Sequence, residues 1–242
     1  MAILPAPLET ARFGVVCAKL DPSDPRSRDL NKVNRNARRD AVRLLTVRVD
    51  VSDLDFLHQL ETDGFQLMDT LVYYERSLDN LPAAPPIADE VEIRCGRPED
   101  AVGVEAIARM AFEGYLGHYH ADPRLDNEAA TEGYAEWSRS FATNCNAEDS
   151  LMVATLSGEL CGFMAFSTNE TVDLKLSGID QRVRRKGLYA ALFFAALKSA
   201  KSTGSIRAMT STQINNYPVQ RVWSRFGFVH ERSFYTLHKW FD

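Results

Sequence analysis

Residues 179–197, IDQRVRRKGLYAALFFAAL, constrain the fold more than any other stretch of the chain. Apolar, strand-forming residues run up to Ile179, a basic turn follows, and Gly187 opens a run dense in alanine and leucine. Such side chains lose little freedom in a helix. The pattern therefore predicts a strand over 171–179, a tight turn, and a helix over 187–202 ending near Gly204. The first amides of a helix have no intrahelical acceptor, and the helix dipole adds roughly half a positive charge there. A turn of this kind is an anion site suited to a pyrophosphate. Gly187 lets a ligand approach the backbone closely, and Arg184, Arg185 and Lys186 add positive charge at the same place. In isolation, an ordinary strand and helix joined by a solvated basic turn account for these residues equally well.

The rest of the chain alternates between the two periodicities. Strand character at 13–20, 42–49 and 65–74, with helices at 28–40 and 54–62, reads as β-α-β-α-β over residues 1–76. Asp53 is placed to cap the second helix and Gly64 to close it. Residues 77–90 contain three prolines and few large apolar groups, a linker composition that places a domain boundary there. A second unit over 91–242 begins with a strand at 91, then a helix over 101–112 preceded by Pro98. A helix over 128–143 carries Tyr134, Trp137 and Phe141 on one face, a stripe best read as core packing. Strands at 150–156 and 160–167 are joined by Ser157-Gly158-Glu159, a hairpin signal. A strand at 206–212, a helix at 216–226 and a strand at 228–240 complete the chain.

Composition excludes several classes of function. The formal net charge of −5 opposes a nucleic-acid-binding surface, and no nucleic-acid partner is expected. No stretch approaches ~18 consecutive apolar residues, so no membrane partner is expected. The four cysteines, at 17, 95, 145 and 161, form no CxxC pair and no zinc spacing. His118-Tyr-His120 offers no third ligand beyond Asp122, and no metal is expected. The start of the chain lacks a basic region followed by an apolar run, so a cytoplasmic protein is expected.

A second element sits one strand beyond Gly187: Asn216, Val219, Trp223, Gly227 and Phe228, a polar residue, a helix, then Gly-Phe opening a strand. Together the two elements resemble the GNAT (Gcn5-related) N-acetyltransferase superfamily. Its acyl-CoA motif, Arg/Gln-x-x-Gly-x-Gly/Ala, is matched at Arg184 and Gly187 after a strand ending at Ile179, with Tyr189 at the last position and Ala190 behind it. The resemblance implies an α+β fold, a mixed, mostly antiparallel sheet flanked by helices. It carries an acyltransferase domain over 91–242 and an N-terminal β-α-β-α-β domain readable as a degenerate half of the same fold. It implies acetyl-CoA as co-substrate, held by Leu176, Ser177, Ile179, Arg184, Arg185, Lys186, Gly187, Leu188, Tyr189, Ala190, Asn216 and Trp223. Trp223 stands where many members carry the tyrosine that protonates the leaving thiolate. An indole N–H is a donor without useful acidity, so the thiolate leaves unassisted or another group, Tyr217 or Tyr189, serves.

Looser motifs extend the resemblance to bacterial members that acetylate nucleotide-linked amino sugars, the dTDP-fucosamine acetyltransferase type. They are Gly114 to Asp122 followed by Tyr134 and Trp137, and Gly64-Phe65 followed by Asp69-Thr70. This implies acceptor contacts at Tyr115, His118, Tyr119, His120 and Asp122, with a small-molecule amine, a dTDP-amino sugar among them, as partner. In this family the amine attacks the thioester directly. Ser177-Gly178 is read as a bulge that opens the strand, exposing amides over 176–179 that polarise the carbonyl. The amine must lose a proton. Asp173, eleven residues before Arg184, is one candidate base, with His118 and His120 as rivals. In the N-terminal domain Arg35, Arg38 and Arg39 read as a solvated helix face, with a nucleotide contact as the alternative. Other amines (a peptide N-terminus, lysine, a polyamine) and a non-catalytic acyl-CoA-binding role stay open, and so does the assembly state, including a homodimer.

Overall fold

The computed structural model describes residues 2–144, 149–183 and 187–242. Cys145 and the motif residues Arg184, Arg185 and Lys186 lie outside them. The strands are β1 (Ile3–Pro5), β2 (Cys17–Leu20), β3 (Leu44–Asp50), β4 (Gln66–Ser77), β5 (Val91–Cys95), β6 (Asp149–Leu156), β7 (Glu159–Ser167), β8 (Thr171–Ile179), β9 (Arg207–Gln213) and β10 (Val229–Trp240). The helices are α1 (Pro7–Phe13), α2 (Leu30–Arg39), α3 (Leu54–Thr62), α4 (Ala101–Phe112), α5 (His118–Ala121), α6 (Asn127–Thr143), α7 (Leu188–Ser202) and α8 (Tyr217–Arg225).

Local chemistry explains most of these boundaries. Asp29, Asp53 and Asp126 each accept a backbone N–H of the first turn of α2, α3 and α6, satisfying donors the helix itself cannot. Residues 13–20, read as one strand, divide instead. Pro7 opens α1, Gly14 closes it in the left-handed region at φ 67°, and the strand is only Cys17–Leu20. Proline at the start and glycine past the end mark a helix too short to show periodicity.

The ten strands of the described residues form one sheet in the order β1-β2-β3-β10-β4-β9-β8-β7-β6-β5. The pairings are antiparallel except β2–β3 and β8–β9, the mixed, mostly antiparallel sheet expected from the sequence. The C-terminal strand β10 lies between β3 and β4, and β4 in turn pairs with β9. Residues on both sides of 77–90 therefore share one sheet. Within that segment Leu78 is buried among the apolar residues around α7, and Lys201 Nζ donates to the Asp79 carbonyl at 2.6 Å.

Helices cover both faces. Phe193, Leu192 and Leu197 of α7 pack with Trp223 of α8 on one side of β7 and β8. Ile107 of α4 and Phe141 of α6 pack with Phe163 and Leu176 on the other. A fully buried Phe193 alone contributes about 1.5–3 kcal/mol. Of the aromatic stripe on α6, Phe141 is core, Tyr134 turns toward α5, and Trp137 is 43% exposed.

Candidate active site

The site begins where two parallel strands part. β8 and β9 pair from Thr171 and Arg207 to Leu174 and Thr210. At that point Thr210 donates its hydroxyl to the Leu174 carbonyl at 3.1 Å. Beyond it β8 stays paired with β7 and β9 with β4, so the facing edges of the two strands carry no ladder between them. The cause lies in the β7–β8 register. Ala165 pairs with Leu176 but Phe166 pairs with Leu174, leaving Lys175 as an extra residue. A bulge bends its strand and adds twist. Val172 and Leu174 accordingly pack toward α7, and Leu176 toward α4. The bulge is thus at Lys175 and not at Ser177-Gly178. Gly178 serves close packing instead: a Cβ there would lie 2.6 Å from Phe163 and 3.0 Å from Ile107.

α7 starts beside this opening. Gly187 holds φ +75°, a left-handed conformation that any side chain would strain, and the first amides of α7 follow it. Leu188 is buried in the core, and Tyr189 and Ala190 are half-buried. The Trp223 indole, 2% exposed, donates its Nε1–H to the Tyr189 hydroxyl at 2.8 Å. Ser177, on the free part of β8, is a second polar neighbour of that hydroxyl. Asn216 donates to Thr212 Oγ1 at 2.9 Å, tying the start of α8 to the end of β9. Tyr217 is 60% exposed and lines a surface groove with Tyr74 and Arg221.

The other wall is aromatic. Tyr115 donates to Gln213 Oε1, and burial pushes its phenol up to about 12. Its ring meets Tyr134 edge-on at 5.7 Å and His120 at 6.2 Å. Thr131 donates to the Asn127 carbonyl, so its oxygen accepts from His120 Nε2–H at 3.1 Å. His120 Nδ1 then carries the lone pair. Burial holds this imidazole below its ordinary pKa. Among the described residues three buried polar side-chain atoms have no partner: His120 Nδ1, Asp69 Oδ1 and Thr236 Oγ1. Asp69 and Thr236 face each other across β4 and β10, and Asp69 Oδ2 accepts from Gln213 at 3.4 Å. Orphaned polar atoms are costly in a folded core.

The remaining expected acceptor residues are held elsewhere. His118 Nδ1 lies 2.9 Å from His238 Nε2, and His238 Nδ1 lies 2.7 Å from Asp122 Oδ2. Trp240 Nε1 donates to the same carboxylate oxygen at 2.9 Å. Asp122 is 2% exposed. Burial works to raise its pKa, but hydrogen bonds from His238, the Arg124 amide and Trp240 outweigh it and the net shift is downward. Tyr119 donates to Glu9 Oε1 at 2.9 Å and packs on Phe13. These three residues tie α5 to β10 and α1, while Tyr115 and His120 pack against Tyr134. Asp173 sits on β8 just before the strands part, and burial raises its pKa against the pull of Lys175. Asp69 and Thr236 were not singled out as site residues by the sequence. The Asp69-Thr70 motif was visible, but a β10 partner 167 positions away left no local signal.

A mixed sheet whose parallel pair parts beside a glycine-opened helix is the arrangement that the sequence resemblance implied for an acyltransferase. Residues 107–228 match the model of the Acetyltransferase (GNAT) family, and the chain belongs to that family. It is 28% identical over 207 residues to the spore coat polysaccharide biosynthesis protein SpsD of Bacillus subtilis (strain 168), spanning 83% of this chain and 68% of that one. It is 26% identical over 158 residues to the mycothiol acetyltransferase of Actinosynnema mirum, covering 63% of this chain and 49%, about half, of that relative. In fold it resembles the GCN5-related N-acetyltransferase from Sphaerobacter thermophilus, with a TM-score of 0.66 at 14% identity, across 95% of this chain and 74% of that one. No described helix is long and apolar enough to cross a membrane.

Proposed function

We propose that this acetyltransferase moves an acetyl group from acetyl-CoA to the amine of a small molecule, a nucleotide-linked amino sugar. The observation that carries the reading is the parting of β8 and β9 beside the Gly187 turn. The gap admits an extended pantetheine arm, and the first amides of α7 suit its pyrophosphate. Arg184, Arg185 and Lys186 supply charge in the same stretch of chain. The free backbone edge over residues 176–179 serves to bind the arm and polarise the thioester carbonyl. Leu188, Ala190 and Asn216 shape the same wall.

The aromatic cluster at Tyr115 and Tyr134 serves as the acceptor side, with the unpartnered atoms of His120, Asp69 and Thr236 as its polar groups. The relative named for spore coat polysaccharide biosynthesis supports a sugar. In this reading residues 91–242 hold the coenzyme, and residues 1–76, joined through 77–90, contribute Asp69 to the acceptor side. The amine nitrogen attacks the thioester carbon, the C–N bond forms, and the C–S bond breaks. The proton leaving nitrogen passes to His120 Nδ1, which is unprotonated at neutral pH because burial depresses its pKa. Asp173 is the rival base. Holding both reactants in one cleft supplies much of the rate.

The test is free-thiol release from acetyl-CoA against a panel of amines that includes dTDP-amino sugars, peptide N-termini, lysine and polyamines. Saturable release with one amino sugar is the expected result. Release with a polyamine or peptide only, or none at all alongside acetyl-CoA binding, would overturn the amino-sugar reading.

A further inference from the structure

Trp223 removes the phenol from the helix where an acid would be sought, and the structure shows what its indole does instead. It is buried between Tyr74, at 5.5 Å, and Phe193, at 6.4 Å, and its sole polar atom points at the Tyr189 hydroxyl, 2.8 Å away. An indole N–H can only donate. The Tyr189 oxygen is therefore committed as an acceptor on that side, and its own proton is directed elsewhere. Tyr189 is the second residue of α7, and its hydroxyl also neighbours Ser177 on the part of β8 that has separated from β9. It thus stands at the wall of the gap proposed to receive the pantetheine arm.

We infer that Tyr189, oriented by Trp223, is the group that protonates the departing coenzyme A thiolate. The inference rests on the acetyl-CoA reading above and adds to it the donor and the residue that positions it. As the C–S bond breaks, the electron pair goes to sulfur and the Tyr189 hydroxyl proton follows it. The phenolate left behind accepts hydrogen bonds from Trp223 Nε1–H and the Ser177 hydroxyl. The proton lost by the amine nitrogen returns through solvent to restore the phenol, so the overall reaction neither gains nor loses a proton. Burial raises the Tyr189 pKa above that of an ordinary phenol, which keeps the proton in place through the working pH range. The pair accounts for two departures from the family motifs at once. The bulky residue at 189 and the indole at 223 complete one hydrogen bond, and neither alone would supply a placed phenol.

The test uses the full chain and coenzyme A itself, with no acceptor required. Coenzyme A affinity is measured first by calorimetry. The bound thiol is then titrated by thiolate absorbance in wild type, Y189F and W223F, with thermal unfolding confirming that each variant folds. A donor facing sulfur stabilises the thiolate, so the bound thiol should titrate about one unit lower in wild type than in Y189F. W223F, which leaves Tyr189 in place but frees it, should show a smaller shift in the same direction. With an amine from the panel that turns over, Y189F should lower kcat about 100-fold at unchanged acetyl-CoA KM. Identical thiol titration in wild type and Y189F would overturn the role of Tyr189. A shift in Y189F with none in W223F would overturn the orienting role of Trp223. Absence of coenzyme A binding in wild type would instead be a failure of the acetyl-CoA reading, told apart at the first measurement.

Discussion

His238 Nδ1 lies 2.7 Å from Asp122 Oδ2, with both side chains sealed from solvent and 116 positions apart in sequence. The carboxylate accepts from Nδ1–H, and the other ring nitrogen, Nε2, meets His118 Nδ1 at 2.9 Å. This chain of three side chains fastens the short α5, and with it His120, to the C-terminal strand. Asp122→Ala removes the acceptor of His238 and of Trp240 together. A buried and a part-buried donor without partners predict a loss of about 2–5 kcal/mol. Urea unfolding of the variant checks this. A loss below 1 kcal/mol would mean that α5 is held mainly by its apolar contacts.

Acid should destabilise the protein well before the carboxylates titrate. Burial depresses His118 well below 6.5 and also lowers His120. A depressed folded pKa gives stability that is full above the unfolded value and is lost as pH falls through the folded one. Each such histidine then costs about 1.4 kcal/mol per pH unit below 6.5, until its folded pKa is reached. Denaturant midpoints measured from pH 7.5 to 5 should fall, and His118→Phe should flatten the slope. A midpoint that rises on acidification would contradict the placement of both imidazoles.

Gly187→Glu should abolish acetyl-CoA binding. Its φ of +75° costs a residue with a Cβ about 1–2 kcal/mol, and the added carboxylate repels a pyrophosphate at the same amides. Calorimetry reads the result directly, and an unchanged affinity would remove the anion site from the start of α7.

Two variants separate the candidate bases. His120→Gln should lower kcat about 100-fold with acetyl-CoA affinity intact. Asp173→Asn should also lower kcat more than affinity if Asp173 takes the proton. Its raised pKa should then appear as an acidic limb in the kcat–pH profile that vanishes in the variant. Whichever substitution leaves kcat unchanged eliminates its residue.

Much of the architecture was legible along the chain. Asp53 and the nine residues behind it predicted α3 to its observed ends, because a cap and its helix lie within one turn of each other. The Gly187 turn, the alanine-rich α7 and the register from Asn216 to Phe228 were visible for the same reason. The strand at 13–20 failed where apolar content outweighed the quieter proline and glycine marks of α1. The bulge was sought at Gly178 because glycine often marks one, yet the register slipped at Lys175, and the glycine answers to Phe163 across the sheet.

By itself the sequence determined most of the helices and strands and the family, since periodicity, caps and turn residues act over a few positions. Only the tertiary structure decided that β10 enters between β3 and β4, that Asp122 meets His238, that Asp69 faces Thr236, and that the Trp223 indole holds Tyr189. These encounters join residues 34 to 196 positions apart. No local preference encodes them, because they follow from which order of strands buries the apolar faces of the whole sheet at once.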